Sequence, residues 1–179
     1  MTANELDQLI LLASQGDMPA LESLYQEMKD LVYALSLSIT RRPSCAEDIT
    51  QETFVRLSQS SGFTPRGQGK AWVLRIARNL ALRQLQQEKR LHAPQRDRDS
   101  RSGSWGEETS LDRIMLRQAL MTLGVAERQI VLLHAAGLKH EETARILRRP
   151  AGTIRWKYAQ AIKKLTRFLT CTEKGDTHE

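Results

Sequence analysis

Apolar residues recur along most of this chain at spacings of three and four, with polar residues between them, and that rhythm predicts amphipathic helices. Leu6, Leu9, Ile10 and Ala13 mark a first helix, for which Asn4 is a suitable cap and Gly16 a stop. Asp17 opens a longer helix with Pro19 in its first turn; Leu21, Leu24, Tyr25, Met28, Leu31, Val32, Leu35 and Ile39 form its buried stripe. Arg41 and Arg42 suit its C-terminal dipole, and Pro43 ends it. Ser44 and Glu47 make an S-x-x-E capping box for a third helix, CAEDITQETFVRLSQ. That helix buries Ala46, Ile49, Thr53 and Leu57, and leaves Asp48, Gln51, Glu52 and Val55 on its other side.

Residues 58–69 form a loop by their Gly, Ser and Pro content, with the ring of Phe63 in an otherwise polar tip. The ring either folds back onto the core or shapes a surface pocket. From Lys70 to about Lys89 a fourth helix is apolar over more than half its circumference, which predicts a place at the centre of its domain. Opposite lies a narrow stripe of Arg75, Arg78, Asn79, Leu82 and Gln86. Asn is a poor helix-interior residue, so Asn79 is either a tolerated surface position or a donor to base edges.

The periodicity stops over 90–109, where charges of both signs alternate with Ser, Gly and Pro. This reads as a flexible interdomain linker, within which Trp105 is an unexpected ring. Thr109 and Asp112 resemble a capping box opening a helix over 111–123, which buries Leu111, Ile114, Met115 and Leu120; a further helix over about 126–136 closes at Gly137. The stretch GLKHEETARILRRPAGTIRWKYAQAIKKL then reads as two short helices joined by a tight turn at Pro150. Ala144, Ile146 and Leu147 face inward from the first, and Ile154, Tyr158, Ala161, Ile162 and Leu165 from the second. Arg155, Trp156, Lys157 and Gln160 face outward. Between Thr143 and Thr170 stand eight basic residues and no acidic one. A cationic second helix of this kind is part of a helix-turn-helix DNA reader; the alternative is a helical hairpin with a solvated basic face.

The composition favours helix, and no run of alternating β-branched residues bounded by turns is present. The fold class expected is all-α: two small helical domains, residues 1–90 and 111–179, joined by a linker over 91–110. The formal charge of +6 suits a polyanionic partner, and its distribution says more. Residues 1–65 carry four Lys/Arg against nine Asp/Glu, whereas 66–90 carry seven against one, which fits two different partners. Cys45 and Cys171 lack metal-ligand spacing, and His92, His134, His140 and His178 complete no zinc pattern with them. Free thiols are expected, with no metal and no cofactor. No stretch is long and apolar enough to insert in a membrane, and a cytoplasmic location is expected.

The run AEDITQETFVRL, then AWVLRIARNLAL after a loop, then the helix-turn-helix stretch after a linker, resembles bacterial RNA polymerase sigma factors of the extracytoplasmic-function type. The resemblance covers nearly the whole chain and includes the family's regions two and four alone. It implies partners: core RNA polymerase, promoter DNA and an anti-sigma protein. Asp48, Gln51, Glu52 and Phe54 match the surface that meets core polymerase. Arg75, Arg78 and Asn79 match the face on the minus-10 element, and the loop over 62–68, with Phe63 and Arg66, matches the one that captures a flipped base. In region four, Arg148, Arg149, Gly152, Thr153, Arg155, Trp156, Lys157 and Gln160 match the minus-35 reading surface. Two departures stand out: Arg148 occupies a turn position where Gly is frequent in the family, and Lys139 one where a small hydroxyl residue is frequent.

Two other classes remain open on sequence grounds. One is an autonomous helix-turn-helix regulator, which would have to dimerise or bind DNA tightly alone. The other is a metal-dependent enzyme using Glu47, Asp48 and Glu52, although Glu47 and Asp48 are adjacent on a helix and diverge.

Overall fold

The computed structural model describes residues 1–91, 115 and 118–173, excepting the side chains of 89, 91 and 171–173. Trp105, the Thr109/Asp112 capping box, nearly all of the expected linker and the side chain of Cys171 lie outside the described residues. Every described element is helical. Among the described residues no helix is long and apolar enough to cross a membrane. The chain divides into two compact units, Met1–Gly103 and Ser104–Glu179.

The first unit holds α1 (Ala3–Ser14), α2 (Met18–Thr40), α3 (Pro43–Ser58) and α4 (Gly69–Leu91). The cap of α1 is Thr2, not the expected Asn4: the Thr2 side chain accepts from the Glu5 N–H (3.3 Å) and Glu5 accepts from the Thr2 N–H (2.8 Å). This reciprocal box satisfies two orphan donors where Asn4 would satisfy one, so the helix starts earlier. Gly16, at φ 91°, closes the turn. Asp17 caps α2 through the Ala20 N–H (2.8 Å).

α4 packs on all three other helices of this unit, as its broad apolar surface predicts, and so does α2. Leu24, Met28, Val32 and Leu35 are fully buried, and from Leu35 to Thr40 every residue is inside. The periodic stripe underestimated this last part, because Ser36, Ser38 and Thr40 read as polar. Their hydroxyls donate to the Val32, Leu35 and Ser36 carbonyls of the same helix (2.8, 2.6 and 3.0 Å). Thr50 and Thr53 of α3 do the same to Ala46 and Ile49 (2.7 and 2.6 Å).

Arg41 ends α2 in the left-handed region at φ 59°. Pro43 then opens α3, and the Ser44/Glu47 capping box does not form. A proline is preorganised for the first helical position, so the helix is already under way when Ser44 is reached; Arg42 is the N-cap and makes no side-chain capping bond.

In the second unit, residues 118–121 are helical, followed by α5 (Val125–Ala135), α6 (His140–Leu147) and α7 (Ala151–Glu173). Ala119, Leu123, Ile130, Leu133, Leu138, Ile146, Ile154 and Ala161 form its core. Met115 and Leu120 are only half-buried, and Ile162, expected inside, is 38% exposed. Periodicity gave no hint of Arg128, 4% exposed, whose guanidinium donates to the Leu120 and Leu123 carbonyls (3.0 and 3.1 Å). These carbonyls end the preceding helical turns, so the cation serves as a C-terminal cap from inside. His134 and His140 stack at 4.8 Å, and Tyr158 packs on both, tying α5, α6 and α7 together.

Candidate nucleic-acid interface

In the first unit, Arg75 and Asn79 are exposed one helical turn apart on α4, while Arg78 beside them is half-buried. Gln86 continues the exposed stripe and Leu82 is half-buried. The loop leading into α4 meets this helix through Phe63, whose ring lies 4.9 Å from that of Trp72. Phe63 is thus neither a core residue nor a free ring: it is half-buried on the first turn of α4. Arg66 is exposed at the same end.

A residue that sequence reasoning passed over fixes the far end of this loop. Asp7 of α1, 2% exposed, accepts hydrogen bonds from the backbone N–H groups of Arg66 (2.7 Å), Gly67 (2.6 Å) and Gly69 (2.7 Å). The available signal was its place three residues before Ile10, where an acid on a buried stripe demands donors.

On α3, Asp48 and Gln51 are exposed, and Glu52 is half-buried with an ion pair to Arg56 (2.6 Å). That pair is solvent-facing and weak enough to exchange for another partner. Phe54 does not belong to this face. It is 5% exposed, edge-on to Tyr25 at 4.9 Å, because position 54 turns toward α2 together with Thr50, Thr53 and Leu57. Its ring lines an apolar groove of about 510 Å³ with Met18, Leu21 and Tyr25. Val55, 48% exposed, is the apolar residue that stands beside Gln51 and Glu52. Cys45 is a free, buried thiol whose pKa is pushed up, first by burial.

In the second unit, Arg148 holds φ 51° at the end of α6, and Arg148, Arg149, Gly152, Arg155 and Trp156 are exposed, with Thr153, Lys157 and Gln160 half-buried. Lys139 is the N-cap of α6 and makes no side-chain cap; its backbone N–H donates to Glu142 instead (2.7 Å). A Cβ at Gly152 would meet nothing within 4 Å, so packing inside the unit does not call for glycine in the first turn of α7. Trp156 is 61% exposed, with the Lys157 ammonium 5.6 Å from its ring centre. Arg155 pairs with Glu141 across the turn (2.9 Å) and holds that carboxyl below its ordinary range.

Behind this face, Lys164 binds Glu127 (2.8 Å), whose side chain is 13% exposed. The Lys164 hydrogen bond is the main cause that lowers the Glu127 pKa from 4.5. A depressed folded pKa gives stability that is present above the ordinary value and lost as pH falls through the lowered one. Thermal melts of the full chain between pH 7 and pH 3 will show this acid loss, and Lys164→Met will reduce it.

Residues 24–91 match sigma-70 region 2, and residues 113–165 match sigma-70 region 4. The ECF RNA polymerase sigma factor BldN of Streptomyces coelicolor is 30% identical over 90% of this chain, and SigE of Mycolicibacterium smegmatis 28% over 87%. This chain belongs to the ECF sigma factors. Its matches span 65% and 63% of the lengths of those two relatives. Among solved structures, CnrH in complex with the cytosolic domain of CnrY matches 94% of this sigma factor and 98% of its own chain, with TM-score 0.65 and 20% identity. RpoE in complex with the anti-sigma factor NepR from Bartonella quintana matches 83% and 96%, with TM-score 0.60 and 23% identity. At these identities the two structures establish the fold. α1 precedes the residues that match region 2.

Proposed function

We propose that this sigma factor is a promoter-specificity subunit: it binds core RNA polymerase, recognises minus-10 and minus-35 elements and initiates transcription of a specific regulon. The observation that carries this reading is an exposed face bearing arginines in each of the two matched regions. Arg75, Asn79, Phe63 and Arg66 form the first, on the minus-10 element, with Arg78 at its edge. Arg148, Arg149, Gly152, Thr153, Arg155, Trp156, Lys157 and Gln160 form the second, on the minus-35 element. Asp48, Gln51 and Glu52 meet core polymerase, with Val55 replacing Phe54 as the apolar contact. Residues 1–90 and 111–179 act as the two domains, and the 91–110 linker sets the distance between promoter elements.

The mechanism needs no reaction catalysed by the factor. Binding energy from phosphate and base contacts offsets the few kcal/mol needed to unstack a base, and the loop on Trp72 receives it. The factor works in the cytoplasm, beside polymerase and DNA. An anti-sigma protein is a further partner, as the complex of RpoE with the anti-sigma factor NepR illustrates for its own chain.

Adding the protein to sigma-free core polymerase and mapping transcript starts on genomic DNA tests the proposal. Aligned starts with two shared upstream elements are expected. No promoter-dependent initiation overturns it, and tight operator binding without polymerase would indicate an autonomous regulator.

The strained turn gives a sharper expectation. Arg148→Gly will stabilise the second unit by ~1 kcal/mol, because glycine adopts positive φ without the Cβ clash. The same change removes a cation beside DNA, so the slope of log affinity against log salt will fall by about 1. Chemical denaturation and salt-dependent binding of an upstream-element duplex measure the two effects.

A further inference from the structure

A loop that receives a base must hold one shape, and residues 59–68 are poorly equipped to do so alone. Of the side chains from Ser61 to Gln68, only that of Phe63 is not exposed, and the segment contains two glycines and a proline. Contact between Phe63 and Trp72 fixes its tip. Asp7 fixes its exit: one carboxylate oxygen takes the Arg66 and Gly67 N–H groups and the other takes that of Gly69.

The match is chemically specific. A carboxylate offers only acceptors, so three converging donors suit it. Asparagine has one oxygen, and its NH₂ would confront a backbone N–H. The fit is equally narrow from the loop side. A Cβ on Gly69 would lie 2.5 Å from both Asp7 Oδ1 and Ile10 Cδ1, and Gly67 sits at φ 68°. These bonds hold the loop rather than the helix packing. α1 is seated on α2 by Leu6, Ile10 and Ala13, all buried.

Resting on the sigma-factor reading, we infer that Asp7 is a positioning residue for promoter opening. From α1 it fixes the backbone of residues 66–69, and so the placement of Arg66 and Phe63 beside the Arg75–Asn79 face. α1, outside the matched region 2, thereby becomes part of the DNA-handling machinery.

The test compares Asp7→Asn, Gly69→Ala and the double variant as full-length chains with core polymerase. The template is a promoter mapped with the wild-type factor, supplied as duplex and with its melted segment mismatched in advance. Both single variants should bind polymerase within about two-fold of wild type and initiate about ten-fold more slowly on duplex, the scale of one lost charge-assisted hydrogen bond. Most of that defect should vanish on the pre-opened template. The double variant should be no worse than Gly69→Ala alone, because that change already displaces the Asp7 carboxylate while also crowding Ile10. Unchanged initiation on duplex overturns the inference. So does equal loss on both templates with weakened polymerase binding, which would make Asp7 a residue of the fold alone. Failure of the wild-type factor to initiate anywhere would refute the sigma-factor reading itself.

Discussion

Combining Arg75→Glu with Asn79→Asp will abolish promoter opening while leaving the factor folded and attached to core polymerase. Both side chains are exposed and one turn apart on α4, away from its buried stripe. Surface changes of this kind shift stability by about 0.5 kcal/mol or less. Against DNA the effect is far larger, since a favourable contact becomes a repulsion and a bidentate amide loses its donor. Each such contact is worth about 1–3 kcal/mol, so the pair should reduce open-complex formation on the order of a hundredfold or more. Permanganate reactivity of unpaired thymines reads opening directly, and co-elution with polymerase is the control. Opening at the wild-type rate would refute the assignment of this face. Arg78 stays in place in this test because its side chain is half-buried, so that changing it would also disturb packing.

The second large effect concerns specificity rather than strength. Trp156 stands 61% exposed in the second turn of α7, so the indole adds little to the core of the unit. Trp156→Ala will leave the unfolding midpoint unchanged and alter which upstream elements are accepted. A ring in the major groove selects by apolar contact with a thymine methyl and by excluding bases that leave too little room. Its removal should cost roughly 1–3 kcal/mol on the preferred element and narrow the gap to its competitors. Selection from a randomised upstream element, run with both proteins, measures this. Identical selected sequences would show that the ring does not touch the bases.

The all-α class, the order of helices and the exposed Arg75/Asn79 and Arg155/Trp156 faces were legible because period and charge report which side of a helix meets water. The errors share a cause: a residue's meaning depended on a partner distant in sequence or on backbone geometry. Phe54 sits beside Glu52 in sequence, yet its ring turns onto Tyr25. The Ser44/Glu47 pattern lost to Pro43, which starts α3 sooner. Asp7 announced by its place on a buried stripe that it needs donors, but not which ones, because all three are backbone groups about sixty residues away. Arg148, by contrast, was foreseeable, since a turn that favours glycine announces positive φ.

The hydroxyls buried where α2 meets its neighbours carry a consequence for divergence. Ser36, Ser38, Thr40, Thr50 and Thr53 each find an acceptor on their own helix, so the hydrogen bond and its strand of chain travel as one piece. Exchanging Ser36, Ser38, Thr50 or Thr53 for alanine removes donor and need together and strands no group on a facing helix, which is the inexpensive way to lose a hydrogen bond; Thr40 differs, because it also accepts from the Arg42 N–H. Substitutions here need no answering substitution elsewhere. The interior of this unit can therefore drift one helix at a time, held to shape and volume, while the Asp7 contact, which joins two distant segments through three fixed donors, cannot.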